Sequence, residues 1–409
     1  MKKTVKLLAL VLALSFFALM ASGAAPAGRQ APGSYGPEDF ESGGYIYENI
    51  LGDTIYFLYV TNHTDDAVAV KGTAVARDTS GAELGTDDMR IEILGPGETS
   101  LGLFYFDDVS GADTVEYELE YSSSYYSPIL ADLEVEQTVS ENHITLLVTN
   151  TGDISAQFVE AYALFFDAEG EVTGYSSRYI GDNDSEIKPG YTLSGQLDFN
   201  GKSYDHAEVY LVGRSNGRAT QVTDKVTDDD FTLTEYSLEN GYGDTYWILV
   251  VENGSEYDVE VTVNATAYDR EDNVLGAGKS SIDVVGPGQT SLCYLYFTDV
   301  EDMASVRYQL FYDTDLYYDD VLYGLSAQTN ISGRDVDVSV TNNGSDPAEF
   351  VEAYVLFFND ADELVYADYA YFTDDDYEIK CGDTITKQLS AYVSFSYVEV
   401  YLSGRHSNL

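Results

Sequence analysis

The chain has 409 residues, with 71 acidic against 20 basic side chains and a formal charge of −51 at neutral pH. This balance excludes a nucleic-acid partner, because phosphate backbones are held through basic patches and this surface repels a polyanion. The length exceeds one ordinary core, so several domains are expected. The only cysteines, Cys293 and Cys381, are too few for a disulfide framework.

Met1 to Gly23 reads as a secretory signal: Lys2, Lys3 and Lys6 are followed by an apolar run from Leu7 to Met20 and by Ala21-Ser22-Gly23 as a small-residue cleavage site. The run is shorter than the roughly 20 residues of a spanning helix. Removal leaves 17 basic against 71 acidic side chains, a formal charge of −54. No lipidation cysteine follows, and the C-terminus has no apolar tail. The expectation is a secreted or extracellular protein of bacterial type with no transmembrane anchor in the mature chain. Residues 24–37, rich in Ala, Pro and Gly, read as a disordered leader.

The rest of the chain repeats itself. Leu94-Gly-Pro-Gly-Glu-Thr-Ser-Leu101 returns as Val285-Gly-Pro-Gly-Gln-Thr-Ser-Leu292, shifted by 191, and Phe158-Val-Glu-Ala-Tyr162 returns as Phe350-Val-Glu-Ala-Tyr354, shifted by 192. A long fixed offset marks a duplicated unit. Each unit is itself two related halves. In every half an early strand ends in Asn (Asn62, Asn150, Asn253, Asn342), and a turn follows later: Gly95-Pro96-Gly97, Lys188-Pro189-Gly190, Gly286-Pro287-Gly288 and Lys380-Cys381-Gly382. Pro before Gly predicts a type II turn, with Cys381 as the departure.

Between the turns the pattern has period two, as in Val115, Tyr117, Leu119 and Tyr121, in Ile144, Leu146 and Val148, and in Val336, Val338 and Val340. That predicts strands with one buried face. The fold class is therefore all-β: tandem immunoglobulin-like antiparallel β-sandwiches, four domains in two duplicated pairs. The predicted boundaries are 38–122, 123–216, 229–313 and 314–409, with a linker at 217–228. The short junctions within each pair predict that its halves pack together, leaving the hinge between pairs.

At Val148-Thr-Asn150, at Phe165-Phe-Asp167 with Gly170, and at Pro96-Gly-Glu-Thr99, the chain resembles bacterial secreted immunoglobulin-like modules of the FxLYD type. Ala163-Leu-Phe-Phe-Asp167 lacks the leading Phe and the Tyr of the named motif. The resemblance implies a β-sandwich interaction module of the cell exterior and brings no catalytic residue with it.

Chemistry is sparse. His63, His143, His206 and His406 have no metal-ligand spacing and no counterparts in the repeat, and without a base no Ser or Cys becomes a nucleophile. Gly241-Tyr-Gly243 precedes a strand, whereas a dinucleotide loop opens a helix. Two acidic runs occupy equivalent places. Asp182, Asp184 and Glu186 in one and Asp374, Asp376 and Glu378 in the other could gather around Ca²⁺, although a solvated acidic turn explains them as well. Tyrosine is abundant, at 36 residues against one tryptophan. Tyr125, Tyr126, Tyr317 and Tyr318 fall at the junctions between halves, and Tyr366, Tyr369, Tyr371 and Tyr377 crowd one stretch; such side chains favour recognition surfaces. Six Asn-x-Ser/Thr sites occur, at Asn62, Asn183, Asn253, Asn264, Asn330 and Asn343.

The expected function is a secreted, non-catalytic binding or scaffold protein, without a cofactor, that presents tandem sandwiches to an extracellular protein or glycan. A Ca²⁺-dependent adhesion module is the alternative. A carboxylate-based glycoside hydrolase ranks below both, because among so many acids some pair always has a suitable spacing.

Overall fold

Thr54–Asn62 reads Thr-Ile-Tyr-Phe-Leu-Tyr-Val-Thr-Asn, a run of β-branched and aromatic residues that folds as a strand with both faces largely covered. Strands of this kind make up most of the computed structural model, which describes residues 35–201, 203–217, 225–240, 242–373 and 377–407. Among them the strands pair antiparallel in eight sheets, and the only helical segments are short 3₁₀ turns. The described residues from Gly36 onward form one compact unit.

One strand plan occurs four times. The first, second and fifth strands of each set form one sheet, and the fourth, third and sixth form the other. Numbered by their position in space, layer 1 contains Glu83–Leu94, Val68–Arg77 and Thr114–Ser123, and layer 2 contains Phe40–Glu48, Thr54–Asn62 and Thr99–Phe106. Layer 3 is built on Ala156–Phe166, flanked by Val172–Tyr179 and His206–Arg214. Layer 4 contains Leu133–Val139, His143–Asn150 and Thr192–Asp198. Layer 5 contains Val259–Tyr268, Val274–Val285 and Ser305–Asp313, and layer 6 contains Phe231–Glu239, Thr245–Asn253 and Thr290–Phe297. Layer 7 is built on Ala348–Phe358 with Leu364–Tyr371 and Tyr397–Ser407. Layer 8 contains Leu325–Ser332, Asp335–Asn342 and Thr384–Ser390.

These layers stack in numerical order. Tyr56 and Phe40 of layer 2 meet Tyr117 and Tyr121 of layer 1. Ile55, Phe57 and Leu101 of layer 2 pack on Leu164 and Phe166 of layer 3, and Ile248, Val250 and Leu292 of layer 6 pack on Leu356, Phe358 and Ala367 of layer 7. Three further cores lie between layers 3 and 4, 5 and 6, and 7 and 8. Trp247, the only tryptophan, is 2 % exposed in the core between layers 5 and 6. The halves of each pair do pack together.

Two expectations need correction. Alternation in His143–Asn150 predicted one buried face, yet His143 and Thr145 on its other face are also buried. The sequence also placed the hinge between the pairs, whereas layer 4 lies directly on layer 5. Ser194 donates from its N–H and hydroxyl to Asn264 Oδ1 (2.9 and 3.0 Å), and Asn264 Nδ2 donates back to the Ser194 carbonyl (2.9 Å). His143 Nε2 donates to the Leu275 carbonyl at 3.0 Å, and Lys279 Nζ caps the carbonyls of Gly181 and Asp182. Phe311 of layer 5 completes the core between layers 3 and 4.

The four strand-end asparagines are internal fasteners. Asn150 Nδ2 donates to the carbonyls of Ile154 and Ile187 (2.9 and 2.7 Å), and its Oδ1 accepts the Gly152 N–H. Asn62, Asn253 and Asn342 repeat the arrangement. Each predicted turn then docks on its Asn: the N–H groups of Gly97, Gly190, Gly288 and Gly382 donate to the four Asn carbonyls at 2.7 to 2.8 Å. All four glycines have φ between 72° and 83°, which a type II turn requires and which a side chain would oppose.

Candidate functional site: two arginine and aromatic clamps

The central strand of layer 3 opens with an irregularity. Phe158 has φ 51°, an uncommon backbone for an aromatic residue, and the pairing with His206–Arg214 shifts register between Val212 and Arg214. Its N–H donates to the carbonyl of Ser185, itself at φ 60°. The bulge turns the Phe158 ring outward, 49 % exposed, and over the guanidinium of Arg214 at 4.7 Å. Tyr126 covers the same guanidinium at 4.3 Å, and Glu92 of layer 1 pairs with it. Tyr125 packs edge-on against Tyr126 and is 84 % exposed.

The second unit builds the same clamp. Phe350 has φ 48°, Arg405 lies between Tyr318 at 4.0 Å and Phe350 at 4.6 Å, and Asp283 takes the place of Glu92. Tyr377 adds a further ring, stacked on Phe350 at 5.9 Å, and Tyr317 sits edge-on to Tyr318. A guanidinium held between two rings gains cation–π energy while keeping its ion pair.

Beside the first clamp a cleft of about 380 Å³ opens between the first two strand sets, lined among others by Arg90, Glu92, Phe158, Glu160, Tyr162 and Tyr179. Its hydroxyls are engaged. Tyr162 donates to Glu160 at 2.8 Å, and Ser100 Oγ donates to the Leu211 carbonyl. Burial, reinforced by Glu160, raises the Tyr162 phenol above its ordinary pKa, and the Glu160 charge raises Tyr179. Glu352, Tyr354 and Tyr371 repeat this group, with Tyr354 donating to Glu352.

No family model and no curated protein matches the chain. Among solved structures, red sea bream transglutaminase aligns over 85 % of this chain and 92 % of its own, at 8 % identity and a TM-score of 0.17. That score carries no argument about function.

The tyrosines singled out from sequence divide between roles. Tyr126 and Tyr318 hold the arginines, while Tyr125 and Tyr317 stand beside them in solvent. Tyr366 packs into the core between layers 7 and 8, Tyr369 stacks on Tyr354 at the layer 6 to 7 contact, and Tyr371 leans toward Glu352. What sequence reasoning missed was the clamp centre. Its signal was the repeated Gly213-Arg214 and Gly404-Arg405 in a chain so poor in cations, together with Phe158 and Phe350, which served only as repeat markers.

In the first acidic run Asp182 Oδ1 accepts the N–H groups of Asp184 and Glu186, an ordinary Asx turn. Lys188 Nζ lies 3.2 Å from Asp182 and 3.8 Å from Asp184, between the carboxylates where a cation would have to sit. Glu186 turns away to accept from Gln157 Nε2 at 2.5 Å. Of the second run, Asp374 and Asp376 lie outside the described residues, and Glu378 pairs with Lys380 at 3.7 Å. A different carboxylate group, Asp53 with Asp107 and Asp108, is also drawn into local structure. Asp53 accepts from the Tyr105 hydroxyl (2.5 Å), Asn49 Nδ2 (2.9 Å) and the Asp108 N–H (3.0 Å). Among the described residues no helix is long and apolar enough to cross a membrane.

Proposed function

We propose that this is a secreted, non-catalytic binding or scaffold protein whose tandem sandwiches present two clamps to an extracellular protein or glycan partner. The observation that supports the reading is the clamp's repetition. Phe158 and Phe350 hold an uncommon backbone, of a kind that costs of order 1–3 kcal/mol, at equivalent places in both units. Strain kept twice beside exposed rings suits recognition, because flat aromatic faces with polar tips give contact area at small entropic cost. Polar groups in the cleft are tied to one another rather than arranged as nucleophile and base. The FxLYD likeness points the same way.

Two equal sites on one chain also suit a multivalent partner. Four layer spacings, from layer 3 to layer 7, separate the clamps, roughly 40 Å at about 10 Å per spacing. Binding both at once multiplies apparent affinity by about 10²–10⁴. The test is capture from the native culture medium by the immobilised mature chain, alongside Phe158→Ala, Phe350→Ala and the double variant. Each single variant should lose about 10²-fold or more in apparent affinity for a multivalent partner, and the double variant should lose capture altogether. Undiminished capture by a folded double variant would overturn the reading.

A further inference from the structure

The stack is built by one directional contact made three times, at layers 2 to 3, 4 to 5 and 6 to 7. In each, the sheet of first, second and fifth strands lays its outer face on the next set's sheet of third, fourth and sixth strands. A head-to-tail contact of this kind has no internal reason to stop, and it propagates into a filament unless the ends are altered. Among the described residues, nothing covers the first type of face at layer 8 or the second type at layer 1. Through the repeat, layer 1 corresponds to layer 5 and layer 8 to layer 4, so the two free faces are the two halves of the contact that joins the units.

The residues at the free faces have changed. Phe311 is 5 % exposed in layer 5, and its counterpart in layer 1 is the exposed Glu120. Lys279 becomes Asp88, Gln309 becomes Glu118, Arg307 becomes Glu116 and the buried Asn264 becomes the exposed Thr73. On the opposite face, His143 and Thr145 become Asp335 and Asp337, and Tyr191, which packs near Phe311 at 6.1 Å, becomes the exposed Asp383. Docking layer 8 on layer 1 in the internal geometry would set Glu120 toward Asp383, without the aromatic pair. Glu120 opposite Asp383, together with the desolvation of charged groups on both faces, including the cations Lys71 and Arg90 that replace Thr262 and Ser281, would then take the place of the contact's anchors.

We propose that layers 1 and 8 are caps: their charged substitutions stop the chain's own stacking contact from continuing into a second copy, and so keep a polymerisable architecture at two units. Repeat proteins commonly need such polar terminal faces. The test restores the internal residues. One chain carries Thr73→Asn, Asp88→Lys and Glu120→Phe; another carries Asp335→His, Asp337→Thr, Asp383→Tyr and, at the counterpart of Ser194, Thr386→Ser. By light scattering after gel filtration, wild type and each restored chain alone should show one chain mass. An equimolar mixture should show a twofold mass and no more, because it creates only one productive pair of faces. Wild type that stacks through these ends, or a mixture of folded restored chains that stays at one mass, would overturn the proposal. The reverse change, Phe311→Glu with Lys279→Asp in the wild-type chain, guards against misfolding of the restored faces. Small-angle scattering should show a larger radius of gyration with strand content retained, and an unchanged radius would count against the caps.

Discussion

At Asn62, Asn150, Asn253 and Asn342 one residue type solves one problem four times. A strand end turns inward, leaving carbonyls of two loops buried, and a carboxamide supplies two donors and one acceptor at that point. Asn150→Ala should therefore cost about 1–3 kcal/mol, since it abandons the buried carbonyls of Ile154 and Ile187. Denaturant unfolding of the single variant checks this, and a loss below a few tenths of a kcal/mol would contradict it. The sequence showed these asparagines as strand-end markers but not their burial, because turn propensity alone accounts for an Asn there. Their environment also bears on the six Asn-x-Ser/Thr sites: the carboxamides of Asn62, Asn253 and Asn264 are buried and hydrogen-bonded within the protein, so a folded chain offers none of these three for glycosylation. Cys293 stands where the first unit has Gly102. In the structure a Cβ at Gly102 would run into Met89, whereas the counterpart of Met89 is the smaller Ser280, which leaves room for the Cys293 side chain. Burial pushes that thiol up to about 12.

Strands were legible in proportion to how much water they see. The clean alternations, 115–121 and 336–340, belong to the outermost layers, where one face is solvated. Inner strands such as Val259–Tyr268 are covered on both sides and lose the contrast. Bulges at Phe158 and Phe350 left no such trace, which is why the clamps escaped the sequence. A loop lock shows how an element is closed and gives a pH signature. Asp53 is held below its ordinary range, chiefly by the Tyr105 hydroxyl and then by Asn49 and the Asp108 N–H. At Asp244 burial works upward, but the hydrogen bonds from Tyr296, Asn240 and the Asp299 N–H outweigh it, and the pKa falls. A carboxylate depressed in the folded state stabilises above its unfolded pKa, near 3.9, and that contribution is lost as pH falls through the lower folded value. Tyr105→Phe with Tyr296→Phe moves the folded values back up, so the acid unfolding midpoint should shift to higher pH. An unmoved acid limb in a circular-dichroism titration would contradict the lock.

Across the whole molecule, duplication was plain from fixed offsets, yet the contact between the units was not, since it depends on the residues in which the copies differ. Phe311 reads as one more strand residue until it is found in a neighbour's core. A fragment of residues 38–228 carries layers 1 to 4 but uncovers Ser194, Gln196 and Tyr191 and lacks Phe311. It should fold with β-sheet content and melt below the full chain by several degrees, consistent with a lost contact worth about 1–3 kcal/mol. A random-coil spectrum, or a melt equal to the full chain, would contradict that division of stability. The order of the layers also bears on mechanics. The first strand, Phe40–Glu48, lies in layer 2 and the last, Tyr397–Ser407, in layer 7, so a chain anchored at one end and pulled at the other takes up tension one sheet inside each extremity. The outermost sheets stay out of the load path until their neighbours yield. Within the path the union of layers 4 and 5 rests on a few hydrogen bonds, each worth about 1 kcal/mol net, and one aromatic pair, against clusters of large apolar side chains on either side. It is the expected mechanical fuse of the molecule: under stretch the two units should part there first, each keeping its arginine clamp intact.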